Sequence, residues 1–307
     1  MPQFHPELTR ARFIPRIKLR PWLVRIVQRI GAPAARTPDD MTIEDRSVPG
    51  PPGQPAVRLR LYRPKALRRP APALYWIHGG GFVQGRPEQD DRTCIAFARE
   101  LGIVVASVDY RLAPGHPFPA PLDDVYAGLQ WLAGNAAGLG VDPRAVAIGG
   151  ASAGGGLAAG LALLARDRGV VSPVFQLLVY PMLDDRTVLR DDVDTTFLRA
   201  WTPQNNRFGW TAYLGREPGG AGVSDYAAPA RCEDLAGLPP AWIGVGTNDL
   251  FHDEDLDYAR RLREAGVACD LTVVDGAFHG FDAIFTRTGV AQAFLRAQID
   301  ALRPTAR

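Results

Sequence analysis

The sequence predicts an α/β fold, with a mainly parallel central sheet flanked by helices. Three observations carry that expectation. Apolar, strand-like runs alternate with helical stretches from Ala73 onward, which is the pattern of successive βαβ units. One run, Ala145-Val146-Ala147-Ile148, passes through the turn Gly150-Ala151-Ser152-Ala153-Gly154 into the helix-like stretch 157–164. Another, Ala73-Leu74-Tyr75-Trp76-Ile77, runs into the glycine-rich His78-Gly79-Gly80-Gly81-Phe82. A chain of 307 residues can close one large core around such a sheet and still carry a lid.

The elements come in chain order. The N-terminal stretch holds Arg10, Arg12, Arg16, Lys18, Arg20, Arg25, Arg29 and Arg36, with no acid between Glu7 and Asp39. Pro21 suits a helix start, and Leu23, Ile26, Val27 and Ile30 form one apolar face. That face is expected to pack onto the body of the protein; a membrane surface is the alternative. Residues 42–48 and 57–62 read as antiparallel edge strands joined by Pro49-Gly50-Pro51-Pro52-Gly53. Further strands are expected near 73–78, 103–108, 145–150, 173–180, 241–247 and 270–274, with helices between them. Residues 184–225 interrupt this alternation with Asp184-Asp185-Arg186, Trp201 and Trp210. The interruption leaves the end of the sheet where ligands gather in open α/β folds, which predicts a lid.

The two glycine-rich turns point to chemistry. A strand, a G-x-S-x-G turn and a helix make a nucleophile elbow, which holds a serine hydroxyl clear of the sheet in a strained conformation. Consecutive glycines after a strand let main-chain N–H groups face a developing oxyanion without side chains in the way. A phosphate-cradling loop is the rival reading, but Gly79, Gly81 and Gly85 miss the G-x-G-x-x-G spacing and no G-K-[ST] comes after either turn. A serine nucleophile needs a base. Of the five histidines, His5 has no partner in sight, His78 braces the glycine loop, His116 is boxed by prolines, and His252 faces solvent. His279 comes after the strand-like Asp270-Leu271-Thr272-Val273-Val274, where the chain order Ser…Asp…His puts the base. The orienting acid should lie just past the preceding strand. Asp249 lies nearest its carboxyl end, Asp253 is the second choice with a helix-capping task nearby, and Asp275 is the third.

On these segments the chain resembles the hormone-sensitive-lipase-like esterases of the α/β-hydrolase fold. The matching stretches are His78-Gly79-Gly80-Gly81-Phe82, Asp109-Tyr110-Arg111-Leu112-Ala113-Pro114 with Pro117-Phe118-Pro119-Ala120, Gly150-Ala151-Ser152-Ala153-Gly154, Asp249-Leu250 with Asp253-Glu254, and His279-Gly280-Phe281. They stand in the family's order and span roughly residues 40–300. The resemblance implies Ser152 as nucleophile, Asp249 as acid and His279 as base, with oxyanion donors on the amides of Gly80, Gly81 and Ala153. Phe82 is the expected substrate-binding side chain. Residues 1–40 are expected to join the insertion 184–225 as a helical cap over a core of 41–183 and 226–307. Ala151 departs from the Asp or Thr common at that position, which bears on local hydrogen bonding and substrate range.

The expected function is that of a cofactor-free, metal-free serine carboxylesterase for short- to medium-chain acyl esters. Two alternatives stand beside it: an amidase or peptidase with the same triad, and a non-catalytic ligand-binding protein on the same fold. Composition sets the surroundings. The net charge of +2 gives nucleic acid no global reason to bind. Cys94, Cys232 and Cys269 are odd in number and scattered, with neither disulfide framework nor metal-ligand spacing. No run of 18 apolar residues and no uninterrupted signal-peptide core are present, so neither stable membrane insertion nor secretion is expected. A cytoplasmic protein, monomeric or homodimeric, with a small-molecule ester as its partner is the expectation.

Overall fold

A computed structural model describes residues 3–30 and 33–306 of the chain, so Met1, Pro2, Gly31 and Ala32 of the expected cap segment lie outside the described residues. Eight strands form one sheet: β1 (Met41–Val48), β2 (Val57–Pro64), β3 (Ala71–Ile77), β4 (Val104–Asp109), β5 (Val141–Ala151), β6 (Gln176–Val179), β7 (Ala241–Asn248) and β8 (Cys269–Phe278). The helices are α1 (Pro21–Ile30), α2 (Asp91–Leu101), α3 (Ala120–Gly134), α4 (Ala136–Leu139), α5 (Ala153–Arg168), α6 (Pro203–Leu214), α7 (His252–Glu264), α8 (Phe281–Ile284) and α9 (Gly289–Leu302). The strand order is β1-β2-β4-β3-β5-β6-β7-β8. β2 pairs antiparallel with β1 and β4, and every pairing from β4 to β8 is parallel.

Alternation along the buried strands divides the core into two layers. In β3, Ala73, Tyr75 and Ile77 join one cluster with Leu59, Leu61 and Ile148. Leu74 and Trp76 join the other with Tyr62, Ala147, Val179 and Trp242. Successive side chains point to opposite faces of a strand, and a strand covered on both faces is apolar throughout. The first layer is closed by α3 and α5, through Leu129, Leu157 and Leu161. The second is closed by α2 and α9, through Phe97 and Phe294.

Three elements depart from the sequence expectation. β2, expected at an edge, lies between β1 and β4. β8 runs to Phe278, four residues beyond the apolar stretch, and so delivers His279 directly at its end. The apolar face of α1 does not pack inward: Ile26 (43% exposed) and Ile30 (77%) face solvent, and only Val24 is buried. Gln28 takes the inward side because its amide donates to the carbonyls of Val83 (2.7 Å) and Ala113 (3.3 Å), fixing the helix's roll. The loops of the 184–225 segment meet the N-terminal stretch, where Asn205 of α6 accepts from Leu19 N (2.9 Å) and donates to Ile17 O (2.9 Å).

Candidate active site

Ser152 stands between β5 and α5 with φ 58° and ψ −122°, a conformation that L-residues tolerate only when neighbours over-determine it. The neighbours are tight. A Cβ on Gly154 would lie 2.1 Å from Ile77 O and 2.5 Å from His78 O. Ser152 N donates to Val179 O (2.9 Å) and Ser152 O accepts from Met182 N (3.0 Å), so the elbow is clamped to both ends of the adjoining connection.

His279 and Asp249 arrive from the ends of β8 and β7. His279 Nε2 is 2.9 Å from Ser152 Oγ, and His279 Nδ1 is 2.8 Å from Asp249 Oδ2. The other oxygen, Asp249 Oδ1, accepts from Phe251 N at 3.0 Å. A carboxylate accepting the Nδ1 proton leaves the Nε2 lone pair toward the hydroxyl. All three residues are buried. Aromatic rings frame the imidazole: Tyr180 edge-on at 4.8 Å between centroids, Phe251 perpendicular at 5.1 Å, and Trp201 at 6.3 Å.

The glycine loop lies against this group. Gly80 (φ 125°) and Gly81 (φ 60°) use backbone conformations that favour glycine. Trp201 of the insertion rests on Gly81, where a Cβ would meet the indole at 2.1 Å. Among the described residues the Gly80 and Gly81 amides find no acceptor, and Ala153 opens α5, where the first-turn amides are unpaired by construction. His78 braces the loop from beneath: it is wholly buried, stacks on Tyr110 at 4.3 Å, and donates from Nδ1 to Gly79 O at 2.9 Å. Burial pushes its pKa down to about 4, so the ring is neutral.

Phe82, the expected substrate-binding side chain, lies on the core side of the glycine loop. It is completely buried, its ring stacked on Tyr213 at 3.9 Å and packed against Trp210 at 5.3 Å, so it supports the loop from the core side. Asp253 makes no capping bond. It pairs with His252 (2.7 Å) and Arg190 (2.6 Å), and Phe251 holds the N-cap position of α7. Asp275 accepts from Thr247 Oγ1 (3.2 Å) away from His279, and His5 caps the N-terminal 3-10 turn by accepting from Glu7 N. Sequence reasoning gave no role to Tyr180, Phe251 or Glu254. The first two pack the imidazole, and Glu254 accepts from the amides of Leu183 (2.8 Å) and Asp184 (3.2 Å) and from the Thr187 hydroxyl. Only Tyr180 left a usable trace, as the last aromatic of an apolar strand before Pro181. The three cysteines are buried and unpaired, and no group of three metal-capable side chains is gathered among the described residues.

A profile of the α/β-hydrolase fold matches residues 74–283. Carboxylesterase NlhH of Mycobacterium tuberculosis is 38% identical over 260 residues, which are 79% of this chain and 76% of the relative. Carboxylic ester hydrolase LipN of the same species is 37% identical over 268 residues, 85% and 70% of the two chains. Among solved structures, a bacterial heroin esterase is similar at TM-score 0.90 and 38% identity, over 99% of this chain and 98% of its own. An esterase of Pyrobaculum calidifontis is similar at TM-score 0.84 and 31% identity, over 99% of each chain. The chain belongs to the α/β-hydrolase-fold family, in its hormone-sensitive-lipase-like branch.

Proposed function

We propose that the chain is a serine carboxylesterase acting on short- to medium-chain acyl esters through Ser152, His279 and Asp249. One observation carries the reading: the unbroken relay from Asp249 through His279 to Ser152 Oγ, at 2.8 and 2.9 Å. Relatives named carboxylesterase and carboxylic ester hydrolase support the reaction class.

In this reading, His279 Nε2 takes the Ser152 proton as Oγ attacks the ester carbonyl carbon. The carbonyl electrons move onto oxygen, and the amides of Gly80, Gly81 and Ala153 hold that oxyanion, each worth about 3–4 kcal/mol in such a site. Asp249 stabilises the imidazolium that forms. The imidazolium then gives its proton to the leaving alkoxide, releasing alcohol and leaving an acyl-serine. Water, deprotonated by the same imidazole, attacks the acyl carbon, and collapse releases the acid and restores Ser152.

Residues 1–40 and 184–225 form the cap in this reading, over a core of 41–183 and 226–307. Trp201 against Gly81 and the burial of Ser152 and His279 support a roofed pocket and hence modest acyl chains. Ser152→Ala tests the nucleophile with a chain-length series of p-nitrophenyl esters. The expected result is a fall in kcat of about 10⁴ or more, together with loss of covalent labelling by an organophosphate. Wild-type-like turnover in the variant would overturn the assignment.

A further inference from the structure

The large apolar side chains left in solvent are concentrated in one place. Phe13, Ile17, Trp22, Ile26, Val27 and Ile30 are exposed within 18 consecutive positions of the N-terminal stretch; elsewhere such residues stand singly. α1 presents them inside out. Val24 and Gln28 face the protein, whereas Trp22, Ile26 and Ile30 repeat every four residues and so form one outward stripe. Arg25 and Arg29 border that stripe, and Arg10, Arg12, Arg16, Lys18 and Arg20 extend the positive charge along the preceding segment.

These seven cations are exposed, and none forms an ion pair among the described residues. Five arginines of the core, Arg58, Arg60, Arg63, Arg99 and Arg111, by contrast reach carboxylates. An apolar stripe flanked by unneutralised arginines, with a tryptophan on its outer face, is the composition of a helix that lies in a lipid interface. A second copy fits poorly, because a two-fold contact would set two clusters of seven unpaired cations against each other. A polyanion without an apolar phase would leave the stripe in water.

We propose that this face is a peripheral docking surface for an anionic lipid bilayer. Trp22, Ile26 and Ile30 enter the boundary between headgroups and acyl chains while the arginines meet lipid phosphates. Because Gln28 ties α1 to Val83, in the glycine loop, docking sets the site beside the lipid surface. Delivery of a membrane-dissolved ester to Ser152 rests on the esterase reading; the docking does not.

The test is sedimentation of the full chain with vesicles of phosphatidylcholine, with and without about 30% phosphatidylglycerol, at two salt concentrations. Binding to the anionic vesicles should exceed binding to the neutral ones by about tenfold or more at 0.1 M salt and fade at 0.5 M. The pairs Ile26→Ser/Ile30→Ser and Arg25→Gln/Arg29→Gln should each weaken it severalfold without lowering the melting temperature. Equal binding to both vesicle types, or undiminished binding in both variant pairs, would overturn the proposal. So would a concentration-dependent dimer in sedimentation velocity that the Ile26→Ser/Ile30→Ser pair abolishes. Hydrolysis of a soluble ester by the same preparations reports on the esterase reading independently.

Discussion

Asp249 and Asp253 lie four residues apart after the same strand, and their surroundings separate them completely. Asp249 is buried with both oxygens engaged, one on His279 and one on the Phe251 amide. The Asp253 side chain is 59% exposed and shared between His252 and Arg190. Asp249→Asn should therefore lower kcat by about 10⁴ in a folded protein, as the imidazole loses tautomer control and counter-charge. Asp253→Asn should leave turnover nearly unchanged and cost at most about 1 kcal/mol, since exposed ion pairs are weak. Steady-state kinetics and urea unfolding of the two variants decide the matter, and exchanged phenotypes would move the acid to Asp253. Position alone was enough to rank Asp249 first. That Asp253's partner is Arg190, 63 residues away in the insertion, is a tertiary fact that no local pattern encodes.

At the scale of elements, the elbow is the most constrained unit. Gly154→Ala forces a methyl group into the carbonyls of Ile77 and His78, so β3, β5 and α5 cannot keep their present approach. A loss of about 3 kcal/mol, with turnover falling because Ser152 shifts, is the expected outcome. Gly134, at the end of α3, has nothing within 4 Å of a Cβ. Gly134→Ala should stay within about 1 kcal/mol of wild type and fall on the stabilising side. Parallel urea titrations compare them; equal losses would mean that the elbow's tightness is not what limits it. Two glycine-rich turns were legible in sequence because their function demands a residue type at a fixed spacing. The roll of α1 was not. Periodicity marks an apolar face through Leu23, Ile26, Val27 and Ile30, but says nothing about which side meets the protein. Gln28, reaching the carbonyls of Val83 and Ala113, settles that.

Across the whole molecule, the alternation of strands and helices was open to reading because each parallel strand is buried on both faces. The order β2-β4-β3 was not, since it depends on pairings far apart in sequence. The fate of Phe82 was hidden for the same reason: its partners Tyr213 and Trp210 come from the insertion. Several buried groups shape how global stability depends on pH, and His78 pulls in one direction. The His78 pKa is held down at about 4, against about 6.5 for an ordinary imidazole. Between these values the unfolded chain binds a proton at this imidazole that the folded chain does not, so the His78 contribution falls as pH falls through that window, while Asp90, which burial raises to about 7, acts in the opposite direction. The loss approaches about 1.4 kcal/mol per pH unit and totals about 3 kcal/mol. Urea unfolding at pH 7 and pH 5 should show His78→Asn gaining stability relative to wild type on the acid side; the same pH difference in both proteins would refute it. The two ends of the insertion, finally, meet on one helix. Its beginning hangs from Glu254 through the Leu183 and Asp184 amides, and Arg190 reaches Asp253. A few residues past its far end the chain is gripped by Arg261, through the carbonyls of Ala230 and Cys232. All three anchors belong to α7, while Trp201, Trp210 and Tyr213 tie the middle of the segment to the glycine loop at Gly81 and Phe82. A graft of this segment from a relative would keep α7, and Asp249 just before it, in register only where it also kept the aromatic contacts of Trp201, Trp210 and Tyr213, so the segment and the glycine loop can change only together.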